Sequence, residues 1–176
     1  MSRSEGPAAA RVDDVDWATW QPTIRATLLF VLRGDDVLLI HKKRGIGAGK
    51  INGPGGKIDP GESARECAIR ETREEGGVTA TRVEEAGELR FQFLDGTAIH
   101  CVVFRSTAHT GEPVETEEAV PIWSPVAAVP FHRMWPDDRL WFPHLLAGVA
   151  FSGRCLFDGD RLLDAAIEPA GDAPGS

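Results

Sequence analysis

Three glutamates, Glu71, Glu74 and Glu75, stand at the end of a segment that is predicted to be a helix. Residues 63–75 contain no proline or glycine and consist mostly of good helix formers, and two glycines follow them. Carboxylates spaced i, i+3 and i+4 on a helix project together. Their oxygens are the hard ligands that Mg²⁺ and Mn²⁺ prefer. The spacing therefore predicts a site for a divalent cation.

These acids also lie on an unusual side of the predicted helix. Ala64, Cys67 and Ala68 define the apolar side of the predicted helix. At about 100° per residue, Glu71 and Glu75 fall on this same side, and Glu74 falls at its edge. Negative charge is also unfavourable in the last turn of a helix, and like charges at i, i+4 repel each other. A bound cation would offset these costs, whereas a solvated acidic patch would not explain the position of the acids.

The spacing around the glutamates resembles the Nudix box, G-x5-E-x7-R-E-U-x-E-E-x-G-U, in which U is aliphatic. Residues 56–78 match every fixed position, and Thr72 stands where an aliphatic residue is usual. The resemblance implies a cation-dependent hydrolase of nucleoside diphosphates linked to another group. The residues that it implies as metal ligands are Gly56, through its carbonyl, and Glu71, Glu74 and Glu75. It further implies Glu74 as the general base, and it gives Arg70 and Glu62 the task of orienting the helix and the loop.

Four further segments resemble the MutT-homologue branch of this family, which hydrolyses oxidised purine nucleoside triphosphates such as 8-oxo-dGTP. They are KKRGIGAGKINGPGGK (42–57), FQF (91–93), PVETEE (113–118) and MWPDDRLWFPHLL (134–146). The resemblance implies that Asn52, Asp137 and Asp138 read the purine edge and that Trp135 stacks on the base. The other residues that it places at the substrate are Thr27, Lys42, Gly55, Gly56, Phe91 and Phe93. It implies Glu118 as an additional acid near the metal.

The aspartate pair suits this role on chemical grounds as well. Two adjacent carboxylates in a partly desolvated pocket repel each other, so one of them can keep a proton near neutral pH and the pair then offers a donor and an acceptor. The alternative is that Asp137 and Asp138 only favour a helix start after Pro136. Asn52 could likewise be a turn residue in a glycine-rich loop, and Phe91 and Phe93 could belong to the core.

Three positions depart from the branch pattern. Ile46 and Ile51 occupy loop positions that are aromatic in the 8-oxo-dGTP diphosphatases, and Pro54 replaces another aromatic residue. We expect an aliphatic wall opposite Trp135, so the departures concern selectivity among oxidised, methylated and normal purines rather than catalysis.

All four lysines fall within residues 42–57, whereas the other basic residues are arginines. A cationic rim for a triphosphate would explain this cluster, and so would an arginine-biased composition. The net charge of −8 argues against binding to nucleic-acid polymers or acidic membranes. The three cysteines form no CxxC pair, and no apolar run or leader pattern is present. We expect reduced thiols, a monomer and a cytoplasmic location.

The chain is predicted to contain one domain at residues 23–169, between a flexible arm at 1–22 and a disordered tail at 170–176. Trp17 and Trp20 of the arm could nevertheless dock on the domain. The predicted strands cover 24–32, 37–41, 78–94, 97–105, 122–123 and a closing hairpin around 158–160, and a second helix covers 136–146 with an interruption at Pro143. This order predicts an α+β (α/β) Nudix fold, with a mixed β-sheet sandwiched between helices.

The predicted activity is Mg²⁺-dependent hydrolysis of oxidised purine nucleoside triphosphates to the monophosphate and pyrophosphate. One alternative is a Nudix hydrolase of another nucleotide, such as a methylated purine triphosphate or a dinucleoside polyphosphate. The other is a silent nucleotide sensor, which would have no need to keep so costly a cluster of acids.

Overall fold

The computed structural model describes residues 9–170. The first part of the predicted arm, residues 1–8, and the predicted tail from residue 171 onward lie outside the described residues. Within residues 9–170, no helix is long and apolar enough to span a membrane.

Nine strands and two α-helices form this part of the chain. The strands are β1 (Ile24–Arg33), β2 (Asp36–Lys42), β3 (Ile51–Asn52), β4 (Gly55–Lys57), β5 (Thr79–Phe93), β6 (Ala98–Thr110), β7 (Ala119–Pro125), β8 (Phe151–Asp158) and β9 (Arg161–Pro169). The helices are α1 (Ala64–Gly76) and α2 (Asp138–Ala147), and 3-10 turns occur at Val12–Asp14, Val126–Ala128 and Phe131–Arg133.

The strands form one mixed sheet in the order β3-β2-β1-β6-β5-β8-β9, while β4 pairs with β1 and β7 pairs with β2. The β1–β6 and β5–β8 pairs are parallel, and the other pairs are antiparallel. The sheet is therefore mixed, as predicted.

The two helices pack on opposite faces of the sheet. On β1, Phe30 belongs to the core that contains Trp141 and Phe142 of α2, whereas Leu29 belongs to the core that contains Ala68 of α1. Successive side chains of a strand point to opposite faces, so this alternation assigns each helix to its own side. The prediction of an α+β fold with the sheet between helices is confirmed.

Both ends of α1 are fixed by local contacts. At the N-terminus, the Glu66 backbone N–H donates to Ser63 Oγ at 3.1 Å, and the Ser63 backbone N–H donates to Glu66 Oε1 at 3.3 Å, which forms a capping box. At the C-terminus, Gly77 adopts a φ of +79°, which glycine tolerates without strain. Because both ends of α1 are fixed, the side of the helix on which the glutamates lie is fixed as well.

Thr72, the departure from the box, is accommodated inside the core. Its side chain is fully buried, and its hydroxyl donates to the Ala68 carbonyl one turn earlier at 2.7 Å. A buried hydroxyl with a partner costs little, so threonine can take the aliphatic position.

Several element bounds differ from the prediction. The strand predicted at 97–105 continues to Thr110, because its polar end pairs with Thr79–Thr81 of β5. The strand predicted at 122–123 extends to Ala119–Pro125. Helix α2 starts at Asp138 and continues through Pro143, which lacks the N–H that would reach the Arg139 carbonyl.

Residues 9–22, the remainder of the predicted arm, contact the sheet. Val12 is only 2% exposed, and the Trp20 indole donates to the Gln92 side chain on β5 at 2.8 Å. This part of the arm therefore packs against the domain.

Candidate active site

A cavity of about 240 Å³ opens between the sheet, the 43–54 loop and the start of α2. It brings together ten of the predicted site residues: Thr27, Lys42, Asn52, Gly55, Gly56, Phe91, Phe93, Trp135, Asp137 and Asp138. Glu75 and Glu71 of α1 adjoin one end of it through Gly55 and Gly56, respectively. The site thus has an acidic end and an aromatic end.

At the acidic end, Glu75 is held under the glycine loop. Its side chain is 3% exposed, and the Gly55 backbone N–H donates to its Oε1 at 3.1 Å. Its Oε2 is buried and has no partner within residues 9–170. Burial raises the pKa of Glu75 to about 8, against the opposing effects of the Gly55 hydrogen bond and of Lys42. This arrangement is costly for a carboxylate unless a cation accompanies it.

Glu71 lies directly against Gly56. A Cβ at Gly56 would be 2.6 Å from the Glu71 carboxyl carbon, so no other residue type fits there without displacing that carboxylate. Burial raises the pKa of Glu71, although the neighbouring Arg70 favours its ionised form.

Arg70 ties the acids together. Its guanidinium donates to Glu62 at 2.7 and 2.9 Å, to Glu71 at 3.0 Å and to Glu74 at 3.1 Å. The interaction with Arg70 lowers the pKa of the Glu62 carboxyl to about 2. These contacts fit the predicted role of Arg70 and Glu62 as orienting residues.

The donor set at this end fits a divalent cation. The carboxylate oxygens are hard ligands, Glu75 Oε2 is without a protein partner in the described chain, and Glu71 adjoins Gly56. Among residues 9–170, however, no three acidic, histidine or cysteine side chains converge around one point. Glu74 is 54% exposed at the rim, and Glu118 is exposed on the loop before β7, where its carbonyl accepts from Lys43. The assignment of these residues as ligands therefore stays a prediction.

Replacing Gly56 by alanine is expected to lower the predicted hydrolytic activity by about 100-fold while the fold persists. The new Cβ would displace the end of the Glu71 side chain, and misplacing a catalytic group by about 1 Å can cost roughly that factor. Steady-state kinetics would measure the loss. Gly76→Ala is the matched control, because its Cβ would meet Leu38 only at an ordinary 3.7 Å. If Gly56→Ala keeps full activity, the position of the Glu71 carboxylate is not required for catalysis.

At the aromatic end, Asp137 and Asp138 are both nearly inaccessible, with exposures of 1% and 6%. The Trp141 indole donates to Asp137 Oδ2 at 2.8 Å, and the Trp135 backbone N–H donates to Asp138 Oδ2 at 3.2 Å. Burial raises the pKa of both carboxyls, and for Asp138 the charge of Asp137 adds to the effect. Asp137 also precedes α2 directly, but its carboxylate makes no capping hydrogen bond to that helix.

Asn52 and Trp135 face the same cavity. Asn52 Nδ2 is buried without a partner in the described residues. Trp135 contacts Phe157 edge-on at 5.8 Å between ring centroids, and Lys50 Nζ lies 5.0 Å from its ring while pairing with Asp160 at 3.2 Å. An unpaired amide donor in the same cavity as a buried aspartate pair supplies polar groups that a purine edge could satisfy.

Phe91 and Phe93 line the cavity, so they are not only core residues. Phe93 stacks on Phe157 at 5.3 Å, and Phe91 lies 6.0 Å from the same ring. Phe157 is a further wall residue that no sequence motif indicates; only its place in an apolar strand points to it.

Thr27 also borders the cavity, but its hydroxyl has another partner. It donates to Cys67 Sγ at 3.4 Å, and the Cys67 thiol lies 3.3 Å from the Lys57 carbonyl, to which it donates. The contact of Thr27 with the nucleotide stays a prediction, in which the hydroxyl could act only as an acceptor. All three cysteines are buried, and none is paired with another within residues 9–170; their reduced state stays a prediction.

The four lysines divide into two pairs. Lys43 and Lys50 form ion pairs with Glu115 and Asp160, whereas Lys42 and Lys57 line the cavity. A cationic rim is therefore supported for Lys42 and Lys57. Lys57 is an additional site residue, and the only sequence feature that indicated it was its position in the lysine cluster.

The three departures from the branch pattern have different consequences. Ile46 lines the cavity and is 53% exposed, so it does form an aliphatic wall. Ile51 is instead buried in the core on the α2 side. The Pro54 carbonyl accepts from the Leu29 backbone N–H at 2.8 Å and thereby ties the loop to β1.

The NUDIX domain model matches residues 22–145, and the chain belongs to the Nudix family. It is 42% identical over 138 residues to the oxidized purine nucleoside triphosphate hydrolase of Danio rerio. This alignment covers 78% of this chain and 88% of that protein. The chain is 40% identical over 143 residues to the Mus musculus protein of the same name, covering 80% and 92%. Among solved structures it is similar to the MutT protein from Bacillus halodurans, with a TM-score of 0.75, 30% identity, and coverage of 84% of this chain and 99% of that one. The predicted family membership is confirmed, the protein is a hydrolase, and the family generally uses a divalent metal such as Mg²⁺.

Proposed function

We propose that this protein hydrolyses oxidised purine nucleoside triphosphates of the 8-oxo-dGTP type, as a Mg²⁺-dependent cytoplasmic monomer, to the nucleoside monophosphate and pyrophosphate. The observation that carries the substrate class is the buried Asp137–Asp138 pair in the same cavity as the unpaired Asn52 amide. The similarity to the two oxidized purine nucleoside triphosphate hydrolases supports the same class.

The aspartate pair would read the base through a shared proton. Since burial raises the pKa of both carboxyls, one remains protonated near neutral pH and donates a hydrogen bond, while the other accepts one. Oxidation at C8 turns purine N7 from an acceptor into an N–H donor, so a site with a fixed donor and acceptor can favour the oxidised base. Asn52 adds the second donor, and Trp135 provides a stacking face.

The acidic end would perform the cleavage. A bound Mg²⁺ would neutralise the phosphate charge and acidify the attacking water. Glu71, Glu75 and the Gly56 carbonyl would hold the cation, and Glu74 would accept a proton from the water. The water oxygen bonds to phosphorus, the bridging P–O bond between the α- and β-phosphates breaks, and pyrophosphate leaves. Lys42 and Lys57 would face the phosphate chain from the cavity wall.

A panel assay of the purified protein with Mg²⁺ tests this proposal. The panel contains 8-oxo-dGTP, 2-hydroxy-dATP, O6-methyl-dGTP, dGTP, dATP and a dinucleoside polyphosphate, and pyrophosphate and monophosphate release is measured. We expect kcat/KM to be highest for an oxidised purine. Equal values for dGTP and 8-oxo-dGTP would refute the sanitising role, and preference for the methylated or dinucleoside substrate would assign another nucleotide. Tight binding without turnover would indicate a sensor.

A further inference from the structure

The segment that precedes the family match makes its own set of contacts with the sheet. Residues 12–20, here called the N-terminal strap, lie before residue 22, where the Nudix match begins. The Val12 backbone N–H donates to Asp164 Oδ2 on β9 at 2.8 Å, and the Trp17 indole donates to the Val12 carbonyl at 2.8 Å. Since Val12 is also buried, this end of the strap is anchored to the outer edge of the sheet.

The other end of the strap reaches the turn between β5 and β6. The Trp20 indole donates to Gln92 Oε1 at 2.8 Å. Gln92 Nε2 in turn donates to the Phe93 carbonyl at 2.8 Å and to the Thr97 carbonyl at 3.3 Å. The Gln92 side chain thus fastens both sides of the turn, and Trp20 fixes the orientation of that side chain.

This turn carries the aromatic wall of the cavity on its opposite face. Because side chains alternate along a strand, Gln92 points away from the face on which Phe91 and Phe93 line the cavity. Phe93 lies opposite Phe157 in the parallel β5–β8 pair, and the two rings stack. The strap crosses the back of both strands, with Arg154 of β8 placed 5.9 Å from the Trp17 ring.

We propose that the N-terminal strap positions the aromatic wall of the base pocket through the Trp20–Gln92 hydrogen bond. Trp20 and Gln92 are positioning residues, since neither lines the cavity. This inference rests on the proposed function for its kinetic test only.

The test uses full-length Trp20→Phe, which keeps a ring but removes the donor, and Gln92→Leu. Losing one hydrogen bond of ordinary strength is expected to raise KM for 8-oxo-dGTP about three- to tenfold, with kcat within about twofold of wild type. The double variant should have the same KM as Gln92→Leu alone, because Gln92→Leu already removes the acceptor of the Trp20 hydrogen bond. Trp17→Phe is the matched control: it loses an indole hydrogen bond inside the strap but leaves Gln92 bonded.

Amide hydrogen exchange tests the same inference without substrate. In Trp20→Phe, exchange in residues 92–98 is expected to accelerate relative to both wild type and Trp17→Phe. Unchanged KM and unchanged exchange in this peptide would overturn the inference, as would equal effects of Trp17→Phe. If the wild type hydrolyses no oxidised purine, the proposed function fails, and the exchange comparison still decides on the strap.

Discussion

Glu74→Gln is expected to reduce kcat by about 10²- to 10⁴-fold, the range that a general base contributes. Glutamine has the same shape and can still accept the hydrogen bond that Arg70 donates at 3.1 Å, but it cannot take a proton from water. Because the side chain is about half exposed, the substitution should leave the free energy of unfolding within about 0.5 kcal/mol of wild type. Single-turnover kinetics and thermal denaturation would measure the two effects.

The control for Glu74→Gln is Glu85→Gln, which removes an exposed glutamate of β5 and should retain full activity. If Glu74→Gln keeps more than a tenth of the wild-type kcat, another group accepts the proton. The half-buried Glu71 and the buried Glu75 would then be the next residues to test.

Asp138→Asn is expected to lower kcat/KM for the oxidised purine about 100-fold and to reduce its preference over dGTP. An asparagine keeps a donor but cannot exchange a proton with Asp137, so the two side chains can no longer interchange the donor and acceptor positions, and sites built to hydrogen-bond a base discriminate strongly against a mismatch. Measuring kcat/KM for 8-oxo-dGTP and for dGTP in parallel gives both the loss of activity and the change in preference. Unchanged selectivity would show that the base is read elsewhere.

The same variant is expected to be more stable than the wild type at neutral and higher pH. Burial raises the folded-state pKa of Asp138 above its unfolded value, so the folded protein holds a proton that the unfolded chain releases. This difference destabilises the wild type increasingly as pH rises above the unfolded pKa near 4. Asparagine removes the effect and should raise Tm by about 2–4 °C at pH 8, which corresponds to roughly 1 kcal/mol.

The gain in Tm should shrink towards pH 4, where the carboxyl is largely protonated in both states. Asp36→Asn, at the partly exposed start of β2, is the control for removing one carboxylate without burial. A lower Tm for Asp138→Asn at pH 8 would contradict this account, because asparagine can still accept the hydrogen bond from the Trp135 backbone N–H.

The acidic half of the site could be predicted from the sequence because its information is local. The position of Glu75 on the buried side follows from helical periodicity, and the capping residue Ser63 and the terminal Gly77 fix that periodicity in the structure. The placement of Asn52, Trp135 and the aspartates in one cavity depended on resemblance, since no local rule brings β3 and α2 together.

The parts that the sequence did not predict depend on contacts between distant elements. The Thr27 hydroxyl turns to Cys67, forty residues away, and no pattern on β1 shows this. The sequence allowed Trp20 to dock on the domain, but residues 12–20 lack periodicity, and nothing in them indicated Gln92 on β5 as its partner. The polar end of β6 likewise forms a strand only because its backbone pairs with the start of β5, as in the Thr79–Thr110 pair.

The short span from β3 to β4 has a consequence for which bond is cut. Asn52 and Gly55 are three residues apart, so at most about 10 Å of backbone separates the group that would read the base from the loop that touches the acids. Pairing of Gly55 and Gly56 with Leu28 and Thr27 holds that spacing rigid. The cleaved bond would therefore lie at a fixed distance from the bound nucleoside. A longer or shorter phosphate chain would change the leaving group, but the nucleoside monophosphate would remain the product.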